Sequence, residues 1–351
     1  MQGGPYQHCR HSELRRLLRW QVAETSSDVM FTTTADGWEL GISHYAPRTE
    51  SLRSSFPVLL CHGLGSNRLA FDIDPQCSLA RGLVEQGFDV YAVDLRGHGL
   101  SEKPAQRSGK RWGWGFNTYC EQDIPAAINA VLEATGRKKL HFVGHSMGGI
   151  LLYSHAALQN ARAAEKIRSG ITIGSSLDYS HSLSIFHRIV KLAPLTHLIP
   201  SVPVNWPVLF SSWAARFHRA FIDPVLVGRN NVELNSYRKL AANSIHPVSA
   251  QVLREMAGAI DGTGLKASSG ERYVDLLEEK GYTFPVLSIS GTADIQCPFE
   301  VAARFGTEHR VFGKSHGHVE DYGHNDLIMG KSAEHEVWPE VYAWLRRYDE
   351  T

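Results

Sequence analysis

Cysteine is scarce in this chain, and what there is does not suggest pairs. Cys9, Cys61, Cys77, Cys120 and Cys297 are far apart in 351 residues, odd in number and without a Cys-x-x-Cys among them. That spacing argues against a disulfide framework or dithiol redox site and favours a reduced, intracellular setting. A charge excess is missing as well, because 36 Lys and Arg balance 36 Asp and Glu. No general field draws the chain to nucleic acid or to an acidic surface. No apolar run approaches a membrane span, and the opening Met1-Gln-Gly-Gly-Pro-Tyr-Gln-His-Cys lacks the apolar core of a secretory signal. The expectation is a soluble, cytoplasmic protein. What is present is apolar residues, 43% hydrophobic against 21% charged. That suffices for a large core in two domains, or in one domain with an insertion.

The N-terminal 1–28 read as a helical extension, with Leu14, Leu17 and Leu18 on one face among Arg15, Arg16 and Arg19. The pattern fits a helix docked on its own domain, and less commonly a weak membrane-surface contact. Strands are predicted near Val29–Thr34 and Glu39–Tyr45, joined by the turn Ala35-Asp36-Gly37. From Phe56-Pro57-Val58-Leu59-Leu60-Cys61 onward, strands and helices alternate. The helices are Leu79–Gln86 and Tyr119–Ala134, and the strands Phe88–Val93, Lys139–Val143 and Ile171–Gly174. That alternation implies an α/β fold, a mostly parallel central sheet with helices on both faces, over residues 29–177. After Ser176 it breaks. Residues 178–282 read as a mostly helical cap, with helical stretches at Trp213–Ala220, Asn231–Ala242 and Val248–Ala259. The sheet resumes in 283–351 with Phe284–Ile289 and His309–Phe312, and Val337–Arg347 closes the chain as a helix.

The chemistry centres on Gly144-His145-Ser146-Met147-Gly148-Gly149, set between an apolar strand and a helical run. Strand, sharp turn and helix with a serine at the apex is the pattern of a nucleophile elbow, and its glycines avoid collisions in the tight turn. A serine hydroxyl needs a base, and the base needs a carboxylate to orient it. In parallel α/β sheets such partners lie just past later strand ends. Asp294 stands there in Ser290-Gly291-Thr292-Ala293-Asp294, and His324 in Asp321-Tyr322-Gly323-His324-Asn325-Asp326. Ser146, Asp294 and His324 are therefore the candidate catalytic residues. The N–H groups of Met147 and of Leu64, in His62-Gly63-Leu64-Gly65, are the candidate oxyanion-hole donors. Asp178 is a rival acid. His316 and His318 beside acidic residues could suggest zinc, but solvated side chains are the commoner outcome, and neither metal nor cofactor is expected. His145 reads as part of the turn and Cys61 as a buried strand residue, while Asp94, Arg96 and His98 follow a strand end, where they could touch substrate. Trp112 and Trp114 read equally as binding aromatics or as loop anchors.

Taken together, these segments resemble the α/β-hydrolase superfamily across most of residues 29–348. His62–Gly65, Asp94-Leu-Arg-Gly-His-Gly-Leu-Ser101 and Gly144–Gly149 are similar to monoacylglycerol lipases and esterases, a resemblance that implies a bracing role for Asp94, Arg96 and His98. Asp321–Gly330, with His324 followed by Asp-Leu-x-x-Gly, resembles acid lipases and polyhydroxyalkanoate synthases. The polyester synthases place cysteine in the elbow and the dehalogenases and epoxide hydrolases aspartate, so Ser146 favours hydrolysis. The resemblance implies a serine esterase or lipase with a small-molecule apolar ester as substrate, no nucleic-acid partner and no cofactor. A thioesterase, lactonase or acyltransferase would use the same three residues, and a ligand-binding protein of this fold would use none. Substrate chain length and oligomeric state are not written in the sequence.

Overall fold

The computed structural model describes residues 22, 25–47, 54–105, 109–158, 165–189, 196–205, 225, 227 and 231–349. Its centre is an eight-stranded sheet. The strands in chain order are β1 (Asp28–Thr33), β2 (Glu39–Tyr45), β3 (Val58–Cys61), β4 (Val90–Val93), β5 (Leu140–His145), β6 (Ile167–Ile173), β9 (Val286–Gly291) and β10 (Glu308–Phe312). Two further strands, β7 (Ser201–Val202) and β8 (Val248–Ser249), pair with each other outside it. The spatial order is β1-β2-β4-β3-β5-β6-β9-β10. β2 runs antiparallel to both its neighbours, and every pairing from β4 to β10 is parallel.

β3 explains the layering. Its four residues are all fully buried, Leu59 and Cys61 in the core on one face and Val58 and Leu60 in the core on the other. A strand covered on both sides needs apolar residues at every position, hence the unbroken Val-Leu-Leu-Cys. Helices α2 (Ile124–Thr135), α3 (Met147–Ala157) and α6 (Tyr273–Lys280) cover the first face. Helices α1 (Leu79–Glu85) and α7 (Trp338–Asp349) cover the second.

The predicted helix at Tyr119–Ala134 starts earlier than its periodicity suggests. The helical run opens at Phe116–Thr118, widens into a π-type turn over Tyr119–Asp123 and continues as an α-helix from Ile124 to Thr135. Pro125 accounts for the wide turn, since a residue without an N–H makes no bond back along the helix and its ring needs room against the preceding turn. Gly136, at φ 65°, ends the helix in the left-handed conformation glycine accepts most readily.

Residues 178–282 hold two features that helical periodicity did not suggest. The β7–β8 ladder is one, too short to leave an alternating pattern. The other is α6, which packs against the core helix α3 with Leu276 and Leu277 in the same core as Leu152, while Lys280 reaches Ala157 O at 3.2 Å. α4 (Leu234–Asn243) and α5 (Ala250–Asp261) lie between them in sequence. The helices expected in 12–23 and at Trp213–Ala220 lie outside the described residues, Val22 aside. Among the described residues no helix is long and apolar enough to cross a membrane.

Candidate active site

Ser146 sits between the end of β5 and the start of α3 at φ 54°, ψ −122°. It is the one non-glycine residue with positive φ among the described residues. A conformation this sparsely populated costs on the order of 1–3 kcal/mol and persists only where the surroundings impose it. They do so here through backbone and glycine. The Ser146 N–H donates to Ile173 O at 2.8 Å, and Ser146 O accepts from Gly149 N at 2.9 Å and from Ser175 Oγ at 2.8 Å. A Cβ on Gly148 would collide with Cys61 O of the neighbouring strand, and one on Gly144 with the backbone of Gly148.

Two strand ends further along, β9 and β10 deliver the partners. Asp294 Oδ1 accepts the N–H groups of Gln296 and Cys297, both at 2.9 Å. Its Oδ2 accepts from His324 Nδ1 at 2.7 Å. Both groups are buried. The carboxylate thereby fixes the imidazole tautomer, leaving Nε2 as the lone-pair nitrogen. Nε2 is buried and makes no hydrogen bond, with Ser146 Oγ or otherwise. Loose contacts of this kind are common before a substrate draws such groups together. Gly174, next after Ile173, has its Cβ direction 3.1 Å from Asp294 Oδ2 and from His324 Nδ1. The serine turn and the Asp–His pair therefore share the end of β6 as a common floor.

A third loop roofs the serine. A Cβ on Gly63 would lie 2.9 Å from Ser146 Cβ, so His62–Gly65 passes directly over it. His62 holds that loop. Nδ1 donates to Gly63 O at 2.8 Å while Nε2 accepts from Leu95 N at 3.1 Å, which requires the neutral ring. Burial, the largest influence, keeps His62 below the usual histidine pKa. Among the described residues, neither the Leu64 nor the Met147 N–H has an acceptor.

The remaining sequence candidates fall into structural places. Asp178 bonds Ser180 and pairs with Arg304 at 3.0 Å, away from His324. His145 Nε2 donates to His324 O at 3.1 Å, and burial pushes its pKa down to about 3. It holds the histidine loop as a neutral ring. His316 bonds Ser315 and His318 bonds Gly313. Asp94 accepts from Arg68 and Leu100, and Arg96 bridges Asp36 and Asp123 with 1% of its surface exposed. Trp114 is a loop anchor, its Nε1 donating to Tyr119 at 2.8 Å with Trp112 stacked on it. Cys61 is buried in β3, and desolvation holds its thiol far above the usual range.

Residues the sequence reading missed lie one layer out. Asp326 Oδ2 accepts from Gly323 N at 3.0 Å and from Asn231 Nδ2 at 2.6 Å, tying the histidine loop to the middle of the 178–282 insert. The signal for it was its place as the Asp of the Asp-Leu-x-x-Gly run after His324.

A sequence family described as the alpha/beta hydrolase fold matches residues 57–195. An esterase from Exiguobacterium antarcticum superposes over 90% of this chain and 99% of its own, with a TM-score of 0.59 at 17% identity. The chain has the α/β-hydrolase fold. A monoacylglycerol lipase from Paleococcus ferrophilus agrees at TM-score 0.56 and 21% identity, over 88% of this chain and 99% of that one. In sequence, this chain is 30% identical over 193 residues to a tear acid lipase-like protein of Mesocricetus auratus, covering 53% of this chain and 46% of that one. It is 33% identical over 146 residues to gastric triacylglycerol lipase of Rattus norvegicus, 39% of this chain and 36% of that one. The aligned stretches thus span less than half of these curated relatives.

Proposed function

We propose that this hydrolase-fold chain cleaves a carboxylic ester through an acyl-enzyme on Ser146, with an apolar acyl or alcohol portion in its substrate. Ser146 Oγ attacks the carbonyl carbon as His324 Nε2 takes the hydroxyl proton. Collapse of the tetrahedral adduct breaks the bond to the alkoxy oxygen, which receives that proton from His324. Water then repeats the sequence in place of Ser146, releasing the acid and restoring the serine. Asp294 supports the imidazolium formed in each half, and the N–H groups of Leu64 and Met147 stabilise the oxyanion.

One observation carries the reading. A serine on a strained turn shares the end of β6 with a buried histidine whose other nitrogen is bonded to a carboxylate. Lipase-named relatives support the ester class. The apolar preference draws on the insert, a cap in this reading, where Leu183 and Leu198 are 96% and 84% exposed. A panel of p-nitrophenyl esters of increasing acyl length, together with fluorophosphonate labelling, tests the proposal. The expected result is turnover that varies with chain length and labelling confined to Ser146. Ligand binding without turnover or labelling would refute it.

A further inference from the structure

The loop over Ser146 is fastened less to the core than to the insert, and one side chain makes most of that attachment. Asn67 is 2% exposed. Its Nδ2 donates to Asn243 O at 2.8 Å and contacts His246 Nε2 at 2.9 Å, both on the insert. Its Oδ1 accepts from Ser244 Oγ at 3.0 Å on the insert and from Leu69 N at 3.0 Å on its own turn. Beside it, Ser66 Oγ meets Ser244 Oγ at 3.1 Å, and the His246 N–H donates to Gly65 O at 2.7 Å. Gly65 takes φ 65°, and its Cβ direction points 2.9 Å from Val248 of β8 and 3.3 Å from Val204. Residues 65–67 and 243–248 thus form one buried, hydrogen-bonded seam, and Leu64 is the residue immediately before it.

The seam is more than packing. An asparagine has two donors and an acceptor oxygen with two lone pairs. Here both ends are engaged and three of the four bonds cross to the insert. A buried polar group satisfied in this way fixes one geometry, because any shift strands a donor or acceptor in a dry site. The peptide joining Gly63 and Leu64 carries the N–H that faces the oxyanion in the reaction proposed above. Its orientation is set on one side by His62, bonded to Gly63 O, and on the other by Gly65, bonded to His246.

We propose that Asn67 and Ser244 are positioning residues that clasp the insert to the oxyanion loop, so that the Leu64 N–H is aimed only when the insert is seated. The clasp rests on the hydrolase reading and deepens it. The insert then regulates the transition state as well as access to the serine. Loosening the seam lowers kcat and leaves ground-state binding nearly unchanged, because an oxyanion donor acts on charge that develops only during reaction.

Two substitutions test it. Asn67→Asp keeps the acceptor for Leu69 and Ser244 but removes the donor to Asn243 O. Ser244→Ala leaves Asn67 and its turn in place and removes the two bonds of the Ser244 hydroxyl, to Asn67 Oδ1 and Ser66 Oγ, so it serves if the first variant folds poorly. Active sites are titrated with fluorophosphonate, so that kcat is expressed per competent Ser146. With a short p-nitrophenyl ester, kcat should fall at least tenfold for Asn67→Asp and severalfold for Ser244→Ala, with KM within twofold of wild type. The inhibition constant of a trifluoromethyl ketone, which forms a tetrahedral adduct on serine, should rise by the same factors. Unchanged kcat per titrated site in both variants, with only a lower melting temperature, would overturn the clasp and leave the hydrolase reading intact. A wild-type chain that neither turns over esters nor labels would overturn both.

Discussion

Two buried histidines, His98 and His324, look alike by count and differ by neighbour. Each is buried, and each leaves Nε2 without a hydrogen bond. His98 gives Nδ1 to the backbone oxygen of Arg96 at 2.9 Å and lies among His62, His246 and Tyr119. His324 gives Nδ1 to the Asp294 carboxylate at 2.7 Å. A carbonyl fixes a tautomer, whereas a carboxylate fixes it and also stabilises the ring when it gains a proton. The surrounding ion pairs repeat the contrast. Asp94 and Arg96 have charged partners and many bonds, yet those bonds hold the loop over residues 94–101 in shape. Burial and charge alone do not mark a reacting group. A carboxylate-backed imidazole beside a strained nucleophile does.

The sharpest way to break that contrast is at the serine. Ser146→Ala should lower ester turnover on the order of 10⁴-fold or more, with far-ultraviolet dichroism and cooperative unfolding retained. Residual activity near wild type would put the chemistry elsewhere. Asp294→Asn comes next. The amide oxygen still accepts from Gln296 and Cys297, but the amide nitrogen faces His324 Nδ1 and cannot accept its proton, so the useful tautomer is lost. A fall in kcat on the order of 10³–10⁴-fold is expected, by analogy with serine hydrolases in which the same change leaves the geometry intact. Gly174→Ala should have a smaller effect. The backbone there has φ 61°, and the new Cβ would press at 3.1 Å on both Asp294 and His324. A loss of roughly ten- to a hundredfold in kcat, with about 1–2 kcal/mol of stability, is expected from a displaced pair and a strained φ. Denaturant unfolding alongside initial rates separates the two parts.

How much of this could be read beforehand depends on how rare each requirement is. A serine flanked by glycines at a strand end, with an acid and a histidine past later strands, is a rare combination, and it singles out Asp294 and His324 from sequence alone. The alternation of Val-Leu-Leu-Cys-type strands with helices likewise fixed the layers. What stayed hidden were pairings between common polar residues distant in sequence. Asn67 with Asn243 and Ser244 carry no periodicity and no motif, and Asp326, although it stands in the Asp-Leu-x-x-Gly run, does not name Asn231 as its partner. α6 was hidden for another reason: its apolar face says that it packs, but not whether on α3 or on the insert. β7 and β8, at two residues each, fall below the length at which alternation can be seen.

The smallest effect tests the other half of the histidine contrast, because it should appear in stability and not in turnover. Burial, with the His62 ring as a second influence, pushes the His98 pKa down to about 3 from the ordinary 6.5. The unfolded chain therefore binds a proton at His98 between pH 6.5 and 3 that the folded chain does not. Stability contributed by the neutral ring is full above pH 6.5 and is lost as pH falls toward 3, at a slope of no more than about 1.4 kcal/mol per unit. His145 and His155, depressed to about 3 and about 4 mainly by burial, slope the same way. Asp123 opposes them. Burial raises its pKa to about 6 despite Arg96, so its contribution weakens as pH rises from about 4 to 6. His98→Asn keeps a donor for Arg96 O and removes the titrating group. Its unfolding free energy, measured in urea from pH 7 to pH 5, should fall less steeply than that of the wild type. The pH profile of kcat should not move. A shifted profile with an unchanged stability slope would mean that the roles of the two histidines have been assigned the wrong way round.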